Sequence, residues 1–238
     1  MTQTNDSILT LAVDIGGSGI KTIVLNEVGE ALSDRNRVQT PKPAKPEPVL
    51  EAIASLAAQQ GEFHRVSVGF PGVVRHGITY TAVNLHSDWE AFAIADKLSY
   101  LLGKPVRVCN DADVQGLGAI SGTGIELTIA LGTGFGSALF VDGKLVPNLE
   151  LGHHRFRKKQ TYEEQLGRAA LESVGKKRWN KRLQRAIASM EQLFNYDRLY
   201  IGGGEAENIN FELPPNAEII PNINGLLGGI ALWREETF

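Results

Sequence analysis

The chain has 238 residues, 42% hydrophobic and 21% charged with a net charge of -3, which fits one large or two small globular domains. Its 26 glycines come without a collagen repeat, no apolar run approaches the ~20 residues of a membrane helix, and the polar start, Met1 to Asp6, lacks the basic and apolar regions of a signal peptide. Cys109 stands alone, which excludes an intrachain disulfide and a multi-cysteine zinc site, and these features together lead us to expect a cytoplasmic protein.

Residues 8–14 (ILTLAVD) and 20–26 (IKTIVLN) are β-rich runs joined by Gly16, Gly17 and Gly19, which predicts a hairpin. A third strand is expected within 30–40. Pro41, Pro43, Pro46 and Pro48 mark an extended connection before a helix at 49–60, and 65–70 reads as a strand closed by Pro71-Gly72. A strand at 77–81, a helix at 88–102 and a short buried strand at 105–109 follow. The pattern restarts at Asn110-Asp111 with a short helix at 111–119. Strands are then expected at 126–131, 135–141 and 144–146, with a glycine turn at 132–136. Helix is predicted over 164–194, where apolar residues recur every three or four positions. A strand at 198–201 runs into Gly202-Gly203-Gly204, a short strand covers 218–220, and a last helix covers 224–235.

Both halves open with strand, glycine turn and strand, a weak internal repeat. The expected organisation is an α/β chain of two lobes, 1–109 and 110–238, with a cleft between them where ligands commonly sit. The last helix is placed to pack back on the N-terminal lobe. The near-neutral charge hides an asymmetry. The stretch 155–185 holds 11 Lys/Arg and 3 Asp/Glu, leaving 13 and 24 elsewhere, so a segment of +8 sits in a chain otherwise at −11. Such a field attracts an anionic partner, although a solvated helix face explains it too.

Five motifs carry chemistry. In Asp14-Ile15-Gly16-Gly17-Ser18-Gly19-Ile20-Lys21, glycines let backbone N–H groups approach an anion. Asp14 can hold Mg²⁺ through water, Ser18 can donate to a phosphoryl oxygen, and Lys21 can neutralise one. It is not a P-loop, because the lysine follows Ile20 and a hairpin replaces the strand-to-helix context. Gly132-Thr133-Gly134-Phe135-Gly136 repeats the device, and two such hairpins are far more specific than one. Gly202-Gly203-Gly204 after a strand can admit a nucleotide, or serve close helix–strand packing. In Asn110-Asp111-Ala112-Asp113 a carboxylate at a strand end can act as general base, with the competing role of helix N-cap for Asp111. Glu150-Leu151-Gly152-His153 can grip adjacent hydroxyls, and a metal pair there lacks further ligands.

This ordered set, with Phe70-Pro71-Gly72, resembles the ROK family of sugar kinases in the actin-like ATPase superfamily, over nearly the whole chain. The resemblance implies a two-lobed actin-like ATPase (ribonuclease H-like) fold and transfer of a phosphoryl group to the 6-hydroxyl of glucose. Asp111 would be the general base. Asn84, Asn110, Asp111, Glu150, His153 and Glu163 would bind the sugar, with Glu164 a neighbouring alternative to the last. Mg²⁺ and a homodimer are also implied, and no membrane or nucleic-acid role. Two departures stand out. The cysteine-rich zinc motif that usually follows Gly-His is missing, and an N-terminal helix-turn-helix is not expected, because only seven residues precede the first strand. The zinc-less form, with Gly-Ser-Gly-Ile-Lys early and Gly-Lys-Lys-x-Trp late, is similar to members that use inorganic polyphosphate. Arg155, Arg157, Lys158, Lys159, Lys176, Lys177 and Arg178 would then form a polyphosphate track. ATP on Gly202–Gly204 is the alternative donor, and a non-catalytic sugar sensor is a more distant alternative.

Overall fold

A computed structural model describes residues 7–221 and 227–234. The described residues divide into two compact units, the first 7–118 with 227–234 and the second 119–221.

The first unit opens with β1 (Thr10–Ile15) and β2 (Ile20–Leu25), the antiparallel hairpin expected from the glycine turn. β3 (Asn36–Val38) adds to its edge. Helix α1 is Pro46–Ala58, which starts inside the proline-rich segment read as extended. Pro46 lies at the helix start, where a missing N–H costs nothing and the fixed φ suits a helix. β4 (Arg65–Phe70) and the small hairpin of β5 (Val74–Arg75) and β6 (Ile78–Thr79) come next. Only Ile94–Leu102, α2, forms the helix expected over 88–102. A 3-10 turn at Ser87–Trp89 and Ala91, at φ 56°, interrupt the first part. β7 (Val106–Asn110) leads into α3 (Asp111–Leu117). The sheet order is β3-β2-β1-β4-β7, with β1, β4 and β7 parallel. Its core holds Leu11, Val13, Ile53, Val68, Phe70 and Trp89, all nearly or fully inaccessible.

The second unit repeats this plan. β8 (Ile125–Leu131), β9 (Phe135–Val141) and β10 (Lys144–Val146) form an antiparallel meander. A hairpin of β11 (Arg155–Arg157) and β12 (Gln160–Thr161) then precedes α4 (Tyr162–Leu166), α5 (Arg168–Val174) and α6 (Lys176–Phe194). The helix expected over 164–194 is present as three segments, broken at Gly167 and Gly175. Gly167 leaves the helical region at ψ 169° because its backbone lies against Thr133 O, closer than a side chain allows. β13 (Arg198–Gly202) and β14 (Ala217–Ile219) complete a sheet of order β10-β9-β8-β13-β14, with β8, β13 and β14 parallel. The two sheets therefore share one strand order, the physical form of the internal repeat.

The first unit runs to Gly118, past the boundary at 109/110 taken from the sequence. The reason is local: α3 packs on β4 and β7, and Gly69 of β4 approaches Asp111 Cα as closely as a side chain would permit. Of the last helix expected over 224–235, residues 224–226 and 235 lie outside the described residues. The described part of it ends in a 3-10 turn, Ala231–Trp233, within the first unit, and Ile230 packs with Ala12, Ile23 and Leu25. Among the described residues no helix is long and apolar enough to cross a membrane.

Candidate active site

In the first unit, chemistry-bearing residues gather at the carboxyl ends of the parallel strands, where open α/β sheets bind ligands. Register aligns them: Asp14 pairs with Gly69, and Phe70 with Asn110. The turn after β1 is closed by Gly16 N donating to Gly19 O at 3.0 Å, and buried Thr40 Oγ1 donates to Gly16 O at 2.5 Å. Lys21 Nζ donates to Asp14 Oδ2 at 2.6 Å, so the lysine expected to meet a phosphate is held by the carboxylate expected to serve Mg²⁺. Directly across β2, Lys21 pairs with Arg37 of β3. The Arg37 guanidinium covers Gly19, where an added Cβ would lie 2.6 Å from its Nε. The sequence reading missed this cation, because a three-residue edge strand shows no periodicity.

Asn84 stands at φ 61° beside Gly17, whose added Cβ would lie 2.9 Å from Asn84 Cβ. The loop is tied down by Val83 N donating to Pro71 O at 2.8 Å and His86 N donating to Ala44 O at 3.2 Å. First hairpin, Pro-Gly turn and Asn84 loop are thus one cluster.

Asn110, not Asp111, caps α3. Its Oδ1 accepts from Ala112 N at 2.8 Å and Asp113 N at 3.2 Å, while its Nδ2 donates to Gly72 O at 3.1 Å. Asp111 is the first helical residue, half-buried, and its Oδ1 accepts from Ala112 N at 2.8 Å. The cap therefore fixes the backbone that carries the candidate base. A carboxylate in a first helical turn also lies where the helix dipole favours its charge. Cys109 behind it is buried, with its thiol pushed well above the ordinary value by burial first and by Asp113 next.

In the second unit, Gly132 N donates to Gly134 O at 3.2 Å, and Arg168 N donates to Gly132 O at 2.9 Å. Glu163 Oε2 accepts from Phe135 N at 3.2 Å and lies against Gly134, in the space a Cβ would occupy. Glu164 is committed elsewhere: Thr161 and Glu164 form a reciprocal capping box at the start of α4. The neighbours read as alternatives are thereby separated. Glu150 and His153 meet at 3.1 Å. Burial pushes the Glu150 carboxyl above its ordinary value, His153 opposes this, and the nearby Glu163 charge adds to the rise. Glu150, His153 and Glu163 are therefore brought together.

Gly202 ends β13, and Gly203 and Gly204 follow it. Gly203, at φ 89°, lies against the backbone of Leu131, so packing alone demands glycine there. Gly204 and Gly132 have open space where a Cβ would stand. Beside them is a pair the sequence did not reveal: Arg168 Nε donates to nearly buried Glu205 Oε1 at 2.6 Å. Its partners are 37 residues apart, and no local pattern connects them. Of the basic track, Arg155 is exposed and Arg157 half-buried on β11, Lys158 and Lys159 form the β11–β12 turn, and Lys176, Lys177 and Arg178 are exposed in the first turn of α6.

Residues 10–163 match the model of the ROK family. The chain is 33% identical over 206 residues to a polyphosphate glucokinase of Mycobacterium tuberculosis, covering 81% of this chain and 76% of that one. Its structure is similar to that of an inorganic polyphosphate/ATP-glucomannokinase from Arthrobacter sp. strain KM, at 36% identity and a TM-score of 0.85, covering 95% of this chain and 100% of that one. A ROK family glucokinase from Streptomyces griseus, solved in complex with glucose and AMPPNP, shares the fold at 22% identity and a TM-score of 0.79, covering 94% and 98%.

Proposed function

The chain belongs to the ROK family, and we propose that it is a glucokinase that transfers a phosphoryl group from inorganic polyphosphate to the 6-hydroxyl of glucose. One observation carries this reading: a glycine hairpin recurs at the same point of the same strand order in both units. Phosphoryl transfer is largely positioning and charge stabilisation, and paired anion cradles supply both. The polyphosphate glucokinase relative and the +8 segment at 155–185 support polyphosphate as donor. ATP is the second donor, favoured by the open space at Gly204.

Asp111 accepts the proton of the 6-hydroxyl as that oxygen attacks the terminal phosphorus. Asn84, Asn110, Glu150, His153 and Glu163 take the other sugar hydroxyls, and a site of such polar groups rejects analogues lacking a hydroxyl. Gly16–Gly19 and Gly132–Gly134 cradle the donor, and Arg37 adds a cation beside the first. Asp14 suits Mg²⁺, which binds through one or two carboxylates, waters and substrate phosphates rather than a dedicated cage. Among the described residues no group of three or more His, Cys, Asp and Glu forms such a cage. When bound, the ion neutralises charge on the transferring phosphate. The enzyme is expected to be cytoplasmic and homodimeric.

The test is Asp111→Asn, assayed for glucose 6-phosphate and for glucose binding by calorimetry. Turnover should fall by ~10²–10⁴-fold, with glucose binding kept within a few-fold. Wild-type turnover would remove Asp111 from the mechanism.

A further inference from the structure

The β11–β12 hairpin and the first half of α6 concentrate cations that form no ion pair among the described residues. Lys158 and Lys159 fill the two-residue turn between Arg157 and its partner Gln160, at φ 51° and 64°. Both lie in the left-handed region, where such a turn favours Asn-Gly and a lysine is strained. On α6, Arg178 and Arg182 are one turn apart and share a face. Half-buried Arg182 donates from Nη1 to Gln165 O at 3.2 Å, and its Nε is buried without a hydrogen-bond partner among the described residues. Its guanidinium lies below the ordinary value, through burial first and then through the charges of Arg157 and Arg178. No ion pair among the described residues includes any of these five cations. A half-buried Arg182 repelled by two neighbouring guanidiniums, beside a strained turn, costs stability, and costs of that kind gather at binding sites.

We propose that Arg157, Arg178 and Arg182, with the Lys158-Lys159 turn, form an anchoring subsite for phosphate units of an inorganic polyphosphate chain other than the unit transferred. This rests on the reading of polyphosphate as donor. Guanidiniums suit it, because their forked donors match tetrahedral phosphate oxygens. The neighbouring aromatics distinguish it from a nucleic-acid surface. Phe156 is stacked on Tyr162 at 4.6 Å, and Trp179 is fully buried with its Nε1 donating to Leu166 O. The cluster therefore offers charge without the stacking platforms that hold single-stranded bases. Arg182 was absent from the sequence-based track because its half-buried position is not visible in a charge count.

The experiment measures binding of long-chain inorganic polyphosphate, without glucose, to the wild type and two variants, with unfolding midpoints recorded for each. Arg157→Gln/Arg182→Gln should weaken binding by about tenfold or more and flatten its salt dependence. Lys158→Asn/Lys159→Gly should also weaken binding, while the midpoint rises by about 2–4 °C as the turn strain is relieved. Weaker binding with higher stability is a combination that a structural role for the lysines does not produce. Unchanged affinity in both variants, or no polyphosphate binding by the wild type, would overturn the subsite. So would equal competition by single-stranded DNA of matched charge. Tight binding by the wild type that the variants lose, without glucose 6-phosphate formation from polyphosphate, would support the subsite and defeat the donor reading instead.

Discussion

Two carboxylates carry the chemistry at the residue scale. Asp111 is held at the first position of α3 by Asn110, which takes the capping duty and engages Gly72 O and two helix N–H groups at once. Asn110→Ala should therefore lower kcat as well as glucose affinity, since the base loses its fixed backbone; a Kd effect alone would mean that Asn110 contacts sugar and positions nothing. Glu150 behaves differently. Burial raises its pKa and His153 opposes the rise, so the carboxyl takes up a proton at a pH where an exposed glutamate is still ionised. If the ionised form grips glucose hydroxyls, KM for glucose should climb on acidification starting above the ordinary glutamate range of ~4.3. Glu150→Gln should raise KM at neutral pH and remove that acid limb. A profile of the variant parallel to the wild type would assign the limb to another group.

At the scale of elements, the glycine hairpins and strand ends were legible because their signals are local. Dense glycine after an apolar run predicts a turn wherever it occurs. The breaks at Gly167 and Gly175 were hidden, because apolar spacing of three or four continues through them. Only the backbone of Thr133 beside Gly167 explains the first. Arg37 and the Arg168–Glu205 pair escaped for the same reason: pairing across a sheet or between distant loops leaves no mark in a window of residues. The glycines of the third motif make a contrast that the sequence does not contain. Gly203→Ala should destabilise the fold by ~2 kcal/mol or more, through a left-handed φ and collision with Leu131. Gly204→Ala should leave the unfolding midpoint within a degree or two and raise KM for ATP if nucleotide lies there. Glu126 anchors the loop before β8. Burial works against its charge, but donors from Ser121, Gly122, Thr123 and Tyr200 outweigh it, so the carboxyl lies below its ordinary value. A lowered folded pKa gives stability that is present above the unfolded value and lost as pH falls through the folded one. Glu126→Gln should reduce stability at neutral pH and flatten the acid end of the stability curve, as read by denaturant titration; an unaltered acid limb would contradict this.

The whole molecule is a duplication of one strand order with unequal charge. Each copy carries one glycine hairpin, but the basic stretch belongs to the second alone. In the proposed reaction that asymmetry favours a polyanion over a nucleotide as donor, since the hairpins would serve either. The most direct measurement is glucose 6-phosphate formation with Mg²⁺ and either long-chain inorganic polyphosphate or ATP, each freed of the other. Product from polyphosphate alone, or from both with polyphosphate the more efficient by kcat/KM, is the predicted result. Product from ATP alone would return the basic stretch to an ordinary solvated face, and product from neither would contradict the proposed reaction itself.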